Sequence, residues 1–390
     1  MSRSRDLGSA ASSLAAPSSA NNGYSHVVDT TQASGWNYSP LNSAGRNILI
    51  NGGFDFWQRL AAPDTPAQYN ASNYSADRWA PMQYQSCRAS RATNSYSTPG
   101  PISQYVMQVS SISSANQANG ARLQIQQKVE SVNTYPLRGK QVTLSFWIKF
   151  NNATFTSTNN SAGGGDSSYG TFSALIASFT STTDGTTSTT GADANLTILN
   201  IANGSLPIVW TKYSITGTVP TNANNINALF SFASLGSTAT NDVYNYQIAD
   251  VQLEQGSVAT PFTRAGGSIG GELSLCQRYF EKSYDINVAP GTITQIGAKY
   301  SSGSVGGLTT SYINDSFQYK VTKRAIPSTV IIYDLSGNAN KVNREYYGVS
   351  STANQNATLS YTGTNGISLY SNGTASAGSI SYQYTVDSEL

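Results

Sequence analysis

The chain has 390 residues, 11% of them charged and 38% apolar, with a formal net charge of +2. That length allows two or three domains, each burying a core, while the low charge leaves solubility to Ser, Thr, Asn, Gln and Gly. No Lys/Arg run exceeds a pair, which excludes the electrostatic footprint of a nucleic-acid binder, and no apolar stretch nears the ~18 residues of a membrane span, so neither nucleic acid nor membrane insertion is expected.

Residues 1–45 are dominated by Ser, Ala and Asn, as in Ser9-Ala10-Ala11-Ser12-Ser13 and Ser18-Ser19-Ala20-Asn21-Asn22. Such a stretch cannot bury a core by itself, so an extended N-terminal arm is expected, held by a neighbouring chain. Arg3 and Arg5 precede no apolar h-region, so the arm does not read as a secretory signal. Trp36, in Gly35-Trp36-Asn37-Tyr38, is its candidate anchor, because an isolated indole on an extended segment suits a pocket on a partner. Packing back onto its own chain is the alternative.

From Asn47 onward the apolar period is two. Val142, Leu144, Phe146, Ile148 and Phe150 alternate through Gln141–Phe150, which predicts a half-buried strand. Leu123, Ile125 and Val129 predict another, as do Ile226, Ala228, Phe230 and Phe232. In Tyr244–Leu253 the apolar phase slips near Ala249, which predicts a bulge. Asn151–Ser168 and Thr180–Asn195 read as exposed loops. Short strands without a helical period indicate a β-sandwich.

Residues 266–285 break the pattern. Leu273, Cys276 and Phe280 share one helical face, flanked by Leu275 and Tyr279, which predicts one short helix. Thr329–Tyr333 then reads as a strand, as does Ser379–Val386 with Ile380, Tyr382, Tyr384 and Val386 on one face. The expected class is all-β: an arm (1–45), a sandwich (46–265), a junction helix (266–285) and a smaller distal β domain (286–390).

Catalytic chemistry finds few residues to use. The one histidine, His26, lies in the polar arm, a poor place to hold a triad. His/Cys zinc sites fail on number, and Gly163-Gly164-Gly165 precedes no helix that would make it a phosphate loop. Cys87 and Cys276 form no motif; two small core residues is the first reading and a long-range disulfide the second. A glycosidase needs only two carboxylates, and the sequence offers no basis for choosing a pair. No enzyme is expected.

The run Asn47-Ile-Leu-Ile-Asn-Gly-Gly-Phe-Asp-Phe-Trp-Gln-Arg59, with Ser75-Ala-Asp-Arg-Trp79, resembles the opening of a group of bacteriophage virion proteins of the tail-fibre or structural kind. Their first domain is similar to the carbohydrate-binding jelly rolls. Leu137-Arg-Gly-Lys-Gln-Val-Thr-Leu-Ser-Phe-Trp147, Trp210-Thr-Lys-Tyr-Ser214, Val251–Phe262 and Leu275-Cys-Gln-Arg-Tyr-Phe-Glu281 follow in the same order, and Lys323–Val330 is a weaker mark. The resemblance spans about residues 45–285. It implies a jelly-roll first domain, a place in the virion, other virion proteins as partners of residues 1–45, a homotrimer, and host-surface glycan adhesion. A decoration protein that reinforces the particle, or a polysaccharide depolymerase, are the alternatives. No cofactor is required, but the jelly rolls often carry a structural calcium between first and last strands, and the matching places here are Asp55 and Asp250.

The aromatics divide. Trp57, Trp79, Trp147 and Trp210 sit in strand-like motifs, so core packing is the first reading and sugar stacking the second. In the distal part, Tyr346, Tyr347, Tyr361 and Tyr370 fall near Gly, Asn and Ser. A rigid amphipathic ring offers contact area at low entropic cost, which suits receptor contact; cross-strand packing is the alternative.

Overall fold

The computed structural model describes residues 24–28, 36–40, 46–59, 67–69, 74–81, 87–111, 122–154, 171–181, 184, 194–233, 246–303, 311–346, 349–373 and 378–389. The chain divides into two units, residues 1–43 and 44–390. In the first, β1 (Tyr24–Val28) and β2 (Trp36–Pro40) form an antiparallel hairpin with Val28 opposite Trp36. Composition alone predicted no element there. The Trp36 side chain lies outside what is described.

The second unit begins with a jelly-roll β-sandwich. Its strands are β3 (Ala67–Tyr69), β4 (Ala80–Pro81), β5 (Cys87–Thr93), β6 (Tyr105–Ser111), β7 (Arg122–Val129), β8 (Gln141–Phe150), β9 (Phe172–Phe179), β10 (Ala194–Ile201), β11 (Thr211–Thr218), β12 (Asn225–Ala233) and β13 (Tyr246–Gln255). One sheet runs β10-β9-β12-β7-β4 and the other β11-β8-β13-β6-β5-β3. Alternation explains why they stack: Val142, Leu144, Phe146, Ile148 and Phe150 project from β8 onto Ile226, Ala228, Phe230 and Phe232 of β12, all at most 1% exposed. Phe146 and Phe230 meet edge-to-face at 4.9 Å, a favoured aromatic geometry. The expected bulge is present in β13, whose register against β8 shifts between Ala249 and Gln252.

Helix α1 (Ile269–Gln277) follows, capped by Ser268, whose hydroxyl accepts from the Gly271 amide at 3.1 Å. A Cβ on Gly266 would lie 2.2 Å from backbone atoms of Gly271 and Glu272, so the entry to the helix requires glycine. The helix is shorter than the predicted stretch. Phe280 belongs instead to a strand that opens the second β region, with Cys276 a buried free thiol.

That region contains β14 (Phe280–Lys282), β15 (Lys299–Ser302), β16 (Ser311–Gln318), β17 (Thr329–Tyr333), β18 (Lys341–Tyr346), β19 (Val349–Asn356), β20 (Thr358–Thr362), β21 (Gly366–Gly373) and β22 (Gly378–Asp387). β22 is its centre, pairing with β14, β15, β17 and β18. A three-stranded sheet, β16-β21-β20, packs across it. Ile380, Tyr382, Tyr384 and Val386 meet Ile313, Phe317, Ile367 and Leu369 in a second core.

The two cores meet through charge. Arg59 reaches from the first sandwich to Asp387 (3.1 Å) and Glu389 (3.2 Å), and Arg78 also pairs with Glu389. Glu130 of the first sandwich accepts from Arg278 at 3.2 Å. Lys323 pairs with Glu281 at 2.6 Å with both side chains fully buried, and Tyr384 donates to the same carboxylate at 2.9 Å. Lys282 donates to the carbonyls of Gln58, Ile286 and Val288. Gln58, Arg59, Arg78, Arg278, Glu281 and Lys323 of this contact come from the motifs on which the resemblance rests.

Candidate functional site

In β16, Ile313 and Phe317 face the distal core, so Tyr312, Asn314, Ser316 and Gln318 face outward and are exposed. In β21, Ile367 and Leu369 face in, while Ser368, Tyr370 and Asn372 face out. The register sets Tyr312 opposite Asn372, Asn314 opposite Tyr370, and Ser316 opposite Ser368. The two serine hydroxyls touch at 2.7 Å.

β20 completes the face by an irregularity. Thr358 lies opposite Tyr370 and Tyr361 opposite Ser368, although they are three positions apart, because the register shifts between Leu359 and Tyr361. In a regular strand Thr358 and Tyr361 would point to opposite sides; the bulge brings both outward. Tyr361 is 79% and Tyr312 48% exposed. The Tyr312 and Tyr370 rings lie 6.0 Å apart at 57°. The outward face therefore consists of tyrosine, amide and hydroxyl groups.

Two of the four distal tyrosines singled out by sequence, Tyr361 and Tyr370, thus share one surface. The Tyr346 side chain and Tyr347 lie outside the described residues. Tyr312 was missed, though the alternation Tyr312-Ile313-Asn314-Asp315-Ser316-Phe317 carried the signal.

Asp55 and Asp250 come near one another beside Ser103, but neither is arranged for an ion. Both oxygens of Asp55 accept from Arg264, from Nε at 2.8 Å and Nη2 at 3.1 Å. Asp250, at φ 50° in the β13 bulge, accepts from the Ile102 amide at 2.7 Å, the Ser103 amide at 3.1 Å and the Ser103 hydroxyl. Burial raises its carboxyl above the usual range, against those three donors. Calcium takes six to eight oxygen ligands; here the oxygens face hydrogen donors and a guanidinium. The donor set does not fit the calcium that the resemblance implied. Among the described residues no three His, Cys, Asp or Glu side chains form a metal cluster.

The tryptophans also separate. Trp57 and Trp79 belong to the main core of the first sandwich. Trp147 and Trp210 lie with Val106, Ala249 and Ala92 in a small cluster apart from it, with the Lys149 ammonium 5.1 Å from the Trp210 ring centre. Trp210 is 7% exposed and offers little ring surface, while Trp147 is partly buried.

The electrostatics concentrate at the junction between the cores. Burial would lower the Arg59 and Arg78 guanidiniums, but Asp387, Glu389 and Asp77 around Arg59, and Glu389 at Arg78, hold both above their ordinary value. Burial, then the Arg78 charge, lowers the Lys128 ammonium to about 8, and its Nζ has no hydrogen-bond partner. The two paired arginines fasten the fold, whereas the buried Lys128 charge opposes it.

No protein-family model and no curated protein matches the chain. Solved structures align with about half of it. The enzymatically active domain of tailspike protein 4 of bacteriophage CBA120 aligns with 54% of this chain at 15% identity and a TM-score of 0.30, the match spanning about a fifth (21%) of that protein. A family 4 carbohydrate-binding module aligns with 53% of this chain and 98% of its own (15% identity, TM-score 0.25). A family 22 xylan-binding domain aligns with 50% and 100% respectively (13% identity, TM-score 0.28).

Proposed function

We propose that this chain is a non-catalytic structural protein of a bacteriophage virion, a fibre or appendage that adheres to a host-surface glycan through its distal β region. The observation that carries the reading is the outward face of β16, β21 and β20. Its exposed tyrosines, Tyr312 and Tyr361, stand on a rigid sheet among amides and hydroxyls. Aromatic rings accept the C–H faces of sugars, while Asn, Gln and Ser supply donors and acceptors for sugar hydroxyls. Rings fixed on strands lose little entropy on binding.

The virion setting is supported by the ordered motifs between Asn47 and Glu281, and docking by residues 1–45 and trimer formation belong to the same proposal. The test is to incubate the purified protein with a panel of bacterial surface polysaccharides, measuring retention and new reducing ends. Retention without cleavage is expected. Sustained cleavage, abolished by changing one carboxylate, would replace adhesion with depolymerase activity; neither retention nor cleavage would favour a particle-reinforcing protein.

A further inference from the structure

On the β16-β21-β20 sheet the three outward tyrosines occupy related positions. Tyr312 is on β16 opposite Asn372, Tyr370 is on β21, and Tyr361 is on β20 opposite Ser368. Each step moves one strand across and two residues along, so the three stand in a diagonal line over the sheet. Each diagonal step is roughly 8 Å between backbone positions, so the row spans about 16 Å along the sheet, while the Tyr312 and Tyr370 rings lean together to 6.0 Å. The bulge between Leu359 and Tyr361 is what completes it, since without that bulge Tyr361 would point to the other side.

The positions beside the row are Thr358, Asn314, Ser316, Gln318, Ser368 and Asn372. No Asp, Glu, Lys or Arg stands among them. The one acidic residue within β16, Asp315, faces inward and accepts from the Tyr382 hydroxyl at 2.6 Å. An anionic sugar would meet no counter-charge on this face, and a cationic one no carboxylate.

We infer that Tyr312, Tyr370 and Tyr361 form a track for a linear, uncharged oligosaccharide lying diagonally across the sheet and engaging at least three sugar rings, one per tyrosine. The inference rests on the adhesion reading and adds to it the ligand's charge, shape and minimum length. A row of this span is longer than any monosaccharide. The Tyr312 and Tyr370 rings adjoin at 6.0 Å and Tyr361 stands one diagonal step beyond, so occupancy grows with chain length until all three are covered. The uncharged surroundings make binding independent of ionic strength.

The experiment is calorimetry of the full chain with graded neutral oligosaccharides (β-1,4- and β-1,3-gluco-, galacto- and manno-series, from mono- to hexasaccharide) and with oligogalacturonates of the same lengths. In at least one neutral series, affinity is expected to climb to three or four rings and then level, unchanged between low and high salt. Tyr312→Ala or Tyr361→Ala should each weaken the tetrasaccharide about tenfold. Tyr300→Ala is the control, since Tyr300 is 64% exposed but stands on β15, outside the row.

A monosaccharide binding as tightly as the hexasaccharide, tighter salt-dependent binding of oligogalacturonate, or full affinity in both variants would overturn the track while leaving glycan adhesion standing. If no neutral series binds, and polysaccharide retention also fails, both readings fall. Self-association lost in Tyr361→Ala would make the face an interface between copies and overturn the track as well.

Discussion

The Arg78 guanidinium lies 3.6 Å from the centre of the Tyr279 ring while pairing with Glu389. Arg78 belongs to the first sandwich, Tyr279 to the turn after α1, and Glu389 to the end of the last strand. Arg59 repeats the arrangement over Phe280 at 3.9 Å. Two arginines from one sandwich are thus each held between an aromatic face and the carboxylates at the end of β22 and just beyond it. Desolvated stacking of this kind adds to the ion pairing.

The fully buried pair Lys323–Glu281 should be sensitive to loss of one partner only. Lys323→Met leaves a buried carboxylate with the Lys320 amide and the Tyr384 hydroxyl as donors. A loss of about 3 kcal/mol is expected from urea unfolding, at the lower end for a broken buried pair. Replacing both partners by apolar residues should recover much of it. A double variant as unstable as the single one would show that the pair is net stabilising in itself.

Arg264 occupies the place of a cation beside Asp55. Melting temperature should therefore be the same in EDTA and in millimolar calcium. A clear rise with calcium in the unaltered protein would refute this assignment.

Lys128 predicts a pH effect with a definite sign. Its folded pKa of about 8 lies below the ordinary 10.5, so above pH 8 the unfolded chain binds more protons and stability rises with pH. The penalty of the buried charge is fully present below 8. Near 10 the unfolded tyrosines begin to ionise while Tyr284 and Tyr319 are held up at about 12, which reverses the trend. Lys128→Met should be the more stable protein below pH 8, with its advantage shrinking between 8 and 10. Denaturant midpoints across that range, compared between the two proteins, measure it; an advantage independent of pH would argue for a packing effect alone.

Residues 44–390 form a unit with its own cores. Deleting residues 2–43 should remove the strands of β1 and β2 alone and leave melting unchanged while abolishing incorporation into particles. Normal incorporation of the shortened chain would place the dock elsewhere.

Sequence periodicity located β7, β8, β12, β13, β17 and β22, since Phe146 or Tyr384 can be placed by counting neighbours two residues away, but it did not pick out β9, β16, β18 or β21, which complete the two cores. It located the β13 bulge by the same count. It could not place Arg78 or Asp55, because their partners Glu389 and Arg264 are remote in the chain and any of the other charges could have served. The Asp55–Asp250 proximity was legible from the resemblance; the arginine that neutralises Asp55 was not. On the distal face, Tyr361 and Tyr370 were visible as types, but their common side depends on a one-residue bulge that no alternation pattern announces.

The last strand has a mechanical meaning. β22 carries most of the hydrogen-bonded partners of the distal region, and the residues just beyond it are clamped by Arg59 and Arg78. The sheet that carries the outward face shares no ladder with β22, so a pull on that face reaches β22 through the side chains of the second core. A load drawn along β22 itself strains its ladders in shear, many bonds at once, and does not open them one after another like a zip.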